Sequence, residues 1–169
     1  MPDSKFWILL AASWAGVFLT DLVLSNSCEG CGIIAFQFAA DGEIVRILEG
    51  WDNSENIGMA KTNLLLDLLF MAGYTIFLWV WVSKRIVSAE SKRVKSYFRL
   101  CLILIIAGVL LDGIENTLLW MNIEAFIAGD DHYRSASVIA GLKFLAIGWV
   151  AVSALGHTVW AYLQRTKSN

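Results

Sequence analysis

The stretch LLDGIENTLLW, residues 110–120, places two carboxylates and an amide inside an otherwise apolar run. Apart from Asp112, Glu115 and Asn116, the run from about Tyr97 to Met121 has the composition of a membrane span, which needs about 20 predominantly apolar residues. A charged side chain near the centre of such a span costs roughly 2.5–3.5 kcal/mol. The stretch therefore predicts a membrane helix that carries charge for a structural or functional reason.

Three further runs are long and apolar enough to span a bilayer, at about 6–24, 64–82 and 135–162. Hydrophobic residues make up 57% of the chain, compared with roughly 45–50% in soluble domains. No linker or repeat divides residues 1–169, and the first run lacks the basic flank and cleavage site of a signal peptide. We expect an all-α fold, a four-transmembrane-helix bundle in a single integral membrane domain.

A short amphipathic helix is predicted in the connection between the first two spans. In DGEIVRILEGW, residues 41–51, the apolar residues Ile44, Ile47, Leu48 and Trp51 recur at helical spacing, with polar residues on the other side. Such a helix lies either on the membrane surface or against the bundle. It would be the one external element of the fold.

Basic residues predict the orientation, because lysine and arginine concentrate in cytoplasmic loops. The connection between spans two and three and the C-terminal tail are basic, whereas segments 25–61 and 122–134 are acidic-leaning. We therefore expect a multi-pass protein of the bacterial inner (plasma) membrane with both termini cytoplasmic. The residues that carry this prediction are Lys84, Arg85, Lys92, Arg93, Lys95, Arg99, Arg165 and Lys167.

Charged side chains from all four predicted spans fall within one layer. Counted at 1.5 Å per residue from the outer boundary, they lie roughly 6–15 Å inside the membrane. They are Asp21, Asp67, Asp112, Glu115 and Lys143.

Helical spacing places several polar residues on shared faces. Asp112, Glu115 and Asn116 are related as i, i+3 and i+4, and Asn63 and Asp67 as i and i+4. Since charges that face lipid are costly, we expect these faces to turn inward and meet.

The expected cluster has more acids than bases, with Asp67, Asp112 and Glu115 against Lys143. The excess calls for a carboxyl that stays protonated, a bound cation, or a ligand with a cationic group. A divalent cation held by the three carboxylates is one alternative, and interhelical hydrogen bonds with no other role are another. A zinc site is not expected, because His132 and His157 are far apart.

Two roles are assigned to these side chains. If the protein is an enzyme, the catalytic residues would be Asp67, Asp112, Glu115 and Lys143, with one acid as the base and the lysine orienting or neutralising an oxyanion. The residues expected to bind a ligand are Asn63, Asn116, Asp21 and Tyr74.

The motif CEGC, Cys28–Cys31, follows the first span on the predicted outer side. Such a pair forms a redox centre or a local disulfide. The placement resembles that of quinone-linked disulfide-generating membrane proteins, but segment 122–134 lacks the second cysteine pair that they need.

The segments FQFAADGEIVRILEGW, LLLDLLFMAGY, LLDGIENTLLW and GLKF together resemble a set of small bacterial four-span inner-membrane proteins of no established function. Their pattern combines an acid in LLLD, an LDxxEN motif and a late Lys-Phe. Gln37 stands where that pattern has an acid, so it is left out of the predicted site. The resemblance implies that the matching polar residues belong together, and it implies no reaction. The matches are Asp67, Asp112, Glu115, Asn116 and Lys143.

Three functions follow as hypotheses. The first is a membrane protein whose polar pocket near the outer leaflet binds a lipid-like or small amphiphilic ligand. A variant of this hypothesis is a small membrane enzyme that acts on such a ligand. The second is a non-catalytic helper or scaffold subunit that associates with a membrane-protein partner or with its own copies. The third is thiol redox at the CEGC pair. Membrane lipid is an expected partner, and nucleic acid is not, because the basic residues form no stripe interleaved with aromatics.

Glycines in the third and fourth spans are expected to mark close helix packing. They are Gly108, Gly113, Gly141 and Gly148.

Overall fold

The structure is a computed structural model that describes the backbone of residues 4–167 and the side chains up to His157. This part of the chain folds into six helices and contains no strand. In chain order they are α1 (Ser4–Ser25), α2 (Ile33–Phe38), α3 (Asp41–Asn53), α4 (Ile57–Ser88), α5 (Lys92–Ala128) and α6 (Ser137–Lys167).

Four of these helices are long and apolar enough to cross a membrane, namely α1, α4, α5 and α6. The all-α fold with four candidate spans is therefore confirmed. The helices extend beyond most of the predicted boundaries. For example, α5 has 37 residues, which corresponds to about 55 Å at 1.5 Å per residue, and the apolar core of a bilayer is only about 30 Å thick.

The long helices pack in a row. α1 packs on α4, α4 on α5, and α5 on α6. Within the described part of the chain, α1 and α6 share no contact of comparable extent. The first and last long helices therefore leave a cleft between them, which α4 and α5 line from behind.

Two short helices cover one end of this row, and we call α2 and α3 together the cap. The predicted amphipathic helix is confirmed as α3, and Ile44, Ile47, Leu48 and Trp51 are each at most 1% exposed. They pack against the ends of the long helices, and the Trp51 Nε1–H donates a hydrogen bond of 2.7 Å to the Cys31 carbonyl. Helix α2 was not predicted, because its six residues are too few for a periodic pattern.

A second apolar cluster lies towards the far end of the bundle, away from the cap. It contains Leu78, Val82, Phe98, Cys101, Ile105 and Val150. The α4–α5 connection, with its basic residues, lies at this end. Arg165 and Lys167, which also carried the orientation prediction, lie outside the residues whose side chains are described.

Candidate functional site

Lys143 on α6 binds two acids of α5 between the two apolar clusters. Its ammonium lies 3.0 Å from Asp112 Oδ1 and 2.8 Å from Glu115 Oε2. All three residues are at most 4% exposed. The i, i+3 spacing of the acids lets one lysine reach both of them.

Three more side chains extend this arrangement to α4. The Tyr74 hydroxyl donates to Asp112 Oδ2 at 2.9 Å. The Asn116 amide donates to Asp67 Oδ2 at 3.0 Å and, more weakly, to Asp112 Oδ1 at 3.4 Å. We call these six residues the polar network: Asp67, Tyr74, Asp112, Glu115, Asn116 and Lys143.

The polar network contains more acid than base. Three carboxylates and one ammonium leave a formal charge of −2 when all are ionised. Among the described residues, Asp67 forms no salt bridge, and the one hydrogen bond at its carboxylate comes from Asn116. Among the three acids of the network, Asp67 is therefore the one that forms no salt bridge with a described cation.

A cavity of about 560 Å³ adjoins the polar network in the cleft between α1 and α6. Asp67, Tyr74, Asp112 and Lys143 lie on its wall. Glu115 does not, because it is fully buried behind the lysine. The cavity volume falls in the range of about 300–1,000 Å³ that is typical of small-molecule sites.

The cavity is polar towards the cap and apolar towards the far end. On α4, the wall runs from Asn63 to Leu78, a distance of about 22 Å along the helix axis. On α6, it runs from Lys143 to Ala151, about 12 Å. A molecule that fits this wall has a polar head and an apolar body.

The sides of the cavity continue onto the exterior of the bundle. Trp14 and Phe18 of α1 and Phe144 of α6 line it, and they are 56%, 56% and 48% exposed. The cleft is therefore accessible from the side, between the two helices that do not pack together.

Two of the predicted binding residues position the walls. The Asp21 carboxylate accepts a hydrogen bond of 2.6 Å from the backbone N–H of Ile33, at the start of α2. The Asn63 amide donates to Thr20 Oγ1 at 2.7 Å and to the Val17 carbonyl at 3.0 Å, which ties α4 to α1. Both side chains line the cavity but contact none of the polar network through a hydrogen bond.

Asn116, the remaining predicted binding residue, is turned away from this cavity. It lines a smaller groove of about 350 Å³ together with Gly113 and Trp120. Its Nδ2 nevertheless reaches the polar network, as described above. Its contribution to the cavity is therefore indirect, through Asp67.

Gln37 of α2 is a wall residue that sequence reasoning left out. It is 6% exposed, and its Oε1 has no hydrogen-bond partner among the described residues. One sequence feature could have identified Gln37: it stands where the proteins that the chain resembles have an acid. Only the packing of the six-residue α2 over the cleft brings it to the site.

No group of three or more His, Cys, Asp or Glu side chains in the described residues is arranged to hold a metal ion. The divalent cation suggested for Asp67, Asp112 and Glu115 stays a prediction. In the α5–α6 loop, His132 Nδ1 lies 2.8 Å from Asp130 Oδ1, and this hydrogen bond lowers the pKa of the Asp130 carboxyl.

The CEGC pair lies in the cap region, away from the cavity. Cys28 and Cys31 form a disulfide, and Cys31 is fully buried. The Arg46 guanidinium of α3 lies against both sulfur atoms and donates a hydrogen bond of 2.8 Å to the Glu29 carbonyl. In the structure the pair joins the chain locally within the loop after α1.

No family model, curated protein or solved structure matches this chain. The class that the structure itself defines is a helical bundle with four candidate membrane spans and a capped lateral cavity. The resemblance to small bacterial four-span proteins stays a prediction.

Proposed function

We propose that this chain is an integral protein of the bacterial inner membrane whose cavity binds a lipid-like or small amphiphilic molecule. The single observation that carries the proposal is the polarity of the cavity, with acids and a lysine near the cap and apolar residues at the far end. A ligand with a headgroup and a tail matches both parts of the wall at once.

The lateral opening supports a ligand that arrives from the membrane. Exposed aromatic residues such as Trp14 and Phe144 continue the wall onto the surface that lipid tails would cover. A tail therefore passes between α1 and α6 without leaving an apolar environment, while the headgroup reaches Asp67 and Lys143.

The basic α4–α5 connection supports an orientation with the cap outside and both termini in the cytoplasm. Lys84, Arg85, Lys92 and Arg93 lie on the ends of α4 and α5 that are farthest from the cap. In this orientation the polar end of the cavity lies in the outer half of the membrane, and the ligand comes from the outer leaflet.

Hydrogen bonding favours binding over catalysis. Lys143 is held by two carboxylates, and Asp112 already accepts hydrogen bonds from Lys143, Tyr74 and Asn116. If the site also performs acid–base chemistry, Asp67 is the acid on the wall that is best placed to serve as the base, because only Asn116 engages it.

The test uses a pair of neighbouring positions on α6. Ala151 lines the apolar end of the cavity, whereas Val152 is 70% exposed on the outside of the bundle. We expect Ala151→Trp to fill the apolar end and abolish co-purification of a tightly held amphiphile, measured by mass spectrometry after purification in mild detergent. Val152→Trp, which adds the same ring outside, should leave the amphiphile in place. Equal amounts of bound amphiphile in both variants and the wild type would contradict the proposal.

A further inference from the structure

Most hydrogen-bond donors at the polar end of the cavity are already used by the protein. The Lys143 ammonium donates to Asp112 and Glu115, and the Tyr74 hydroxyl donates to Asp112. The Asn63 amide donates to α1. Without breaking one of these bonds, a phosphate or a carboxylate could use only the third N–H of Lys143 and the side-chain amide nitrogen of Gln37.

Acceptors on the same wall are left over. Asp67 receives one hydrogen bond, and no cation pairs with it among the described residues. The Gln37 Oε1 atom is buried and has no partner there. Because a buried acceptor without a donor is destabilising, a ligand that supplies N–H groups to these acceptors would be bound favourably.

Carboxylates outnumber cations on the wall of the cavity. Asp21, Asp67 and Asp112 face the cavity together with a single cation, Lys143, which Glu115 also neutralises from behind. Anions are disfavoured next to such an excess of carboxylate, and cations are favoured.

We propose that the headgroup bound in this cavity is a primary ammonium, which donates hydrogen bonds to Asp67 and Gln37 while its apolar tail runs towards Leu78 and Ala151. The inference rests on the proposed function, because it names the class of amphiphile that the cavity takes. An amine-bearing membrane lipid and a free long-chain alkylamine share this chemistry.

The experiment measures equilibrium binding of radiolabelled dodecylamine to the full-length protein in a neutral maltoside detergent. Dodecanoate and dodecyl phosphate, with the same tail, should compete at least about tenfold more weakly, since the excess of carboxylates on the wall repels their negative headgroups. Dodecyltrimethylammonium, which has the charge but no N–H, should also compete more weakly. Lysophosphatidylethanolamine separates the two sources: strong competition identifies an amine-bearing lipid, and weak competition identifies a free amine.

Variants of the two acceptors give the sharper result. Asp67→Asn should weaken dodecylamine binding by about tenfold or more, and Asp52→Asn, at an exposed position of α3, should not change it. Gln37→Glu adds a carboxylate at the same position and should tighten the binding, whereas Gln37→Leu should weaken it. A purely structural role for Gln37 would not produce a gain with glutamate, so this variant keeps the test valid if Asp67→Asn does not fold.

The failure of this inference differs from the failure of the proposed function. Suppose that dodecanoate or dodecyl phosphate binds as tightly as the amine and that this binding is lost in Ala151→Trp. That result would overturn the ammonium headgroup but support an amphiphile site. Weaker amine binding in Gln37→Glu would likewise overturn the ammonium assignment. If no probe binds in a manner sensitive to Ala151→Trp, both proposals are wrong.

Discussion

Lys143 is the residue on which the polar network depends. Its ammonium is 6% exposed at the side chain and bridges two acids that are 3% and 0% exposed. A buried ion pair of this kind costs desolvation energy to form, but removal of one member leaves the others uncompensated. The lysine is therefore required for the acids to remain inside the bundle.

At this scale we expect Lys143→Met to lower the free energy of unfolding by about 3–5 kcal/mol, because Asp112 and Glu115 lose their common cation. The measurement is unfolding followed by circular dichroism in detergent. The matched control is Lys61→Met, since Lys61 pairs with Glu124 at 2.8 Å near the surface, with side-chain exposures of 27% and 49%. That change should cost less than about 1 kcal/mol. Comparable losses in both variants would contradict the buried bridge.

Much of this network could be predicted from spacing. Asp112, Glu115 and Asn116 share a helix face by count alone, and the depth of Lys143 places it beside them. Spacing does not show which acids pair with the lysine. Lys143 pairs with Asp112 and Glu115, and Asp67 binds Asn116 instead, because of how α4 and α6 are rotated about their axes. Gln37 was missed because α2 is too short to show a period.

At the scale of elements, α1 is held mainly by α4. The Leu10 side chain packs directly on Gly73, where an added Cβ would lie 2.6 Å from Leu10 Cδ1, and Asn63 contributes its two hydrogen bonds. Since α1 lacks a comparable contact with α6 in the described part of the chain, the width of the cleft depends on these few contacts.

Close packing at glycine was predicted correctly at Gly108, where an added Cβ would lie 2.8 Å from Ile147 Cγ1 of α6. It was wrong at Gly113, Gly141 and Gly148, where no described atom of a neighbouring element lies within 4 Å of an added Cβ. A glycine in a span shows where a helix could approach a neighbour closely. Whether it does depends on which face of the helix meets a neighbour in the row, and the sequence alone does not show this.

The cap is a second element whose stability can be tested. Trp51 is fully buried, lies edge-on to Phe36 with ring centroids 4.8 Å apart, and bonds the Cys31 carbonyl. Trp51→Ala should destabilise the protein by about 3–5 kcal/mol through loss of this packing. It should also open segment 25–56 to limited proteolysis.

The control for the cap is Trp79→Ala, at a residue of α4 that is 42% exposed. It should leave the segment resistant to protease. A Trp51→Ala variant that is no more sensitive to cleavage there than Trp79→Ala would show that the cap does not rely on α3 packing.

At the scale of the whole molecule, orientation is the first prediction. Asp131 lies in the exposed α5–α6 loop on the cap side, and Glu90 in the exposed α4–α5 connection at the far end. A membrane-impermeant maleimide should label Asp131→Cys in intact spheroplasts but Glu90→Cys only after permeabilisation, because the basic end faces the cytoplasm. Background should be low, since Cys101 is buried and Cys28 and Cys31 are paired. The reverse pattern would place the cap inside.

Under the proposed function, the cleft between α1 and α6 holds one amphiphile rather than bulk lipid. The most direct measurement is photo-crosslinking in the native membrane with benzoylphenylalanine at Phe70, on the cavity wall, and at its neighbour Leu69, which is 57% exposed. We expect one dominant crosslinked species at Phe70, lost in Ala151→Trp, and a mixture of bulk lipids at Leu69. The same lipid mixture at both positions, unchanged by Ala151→Trp, would contradict it.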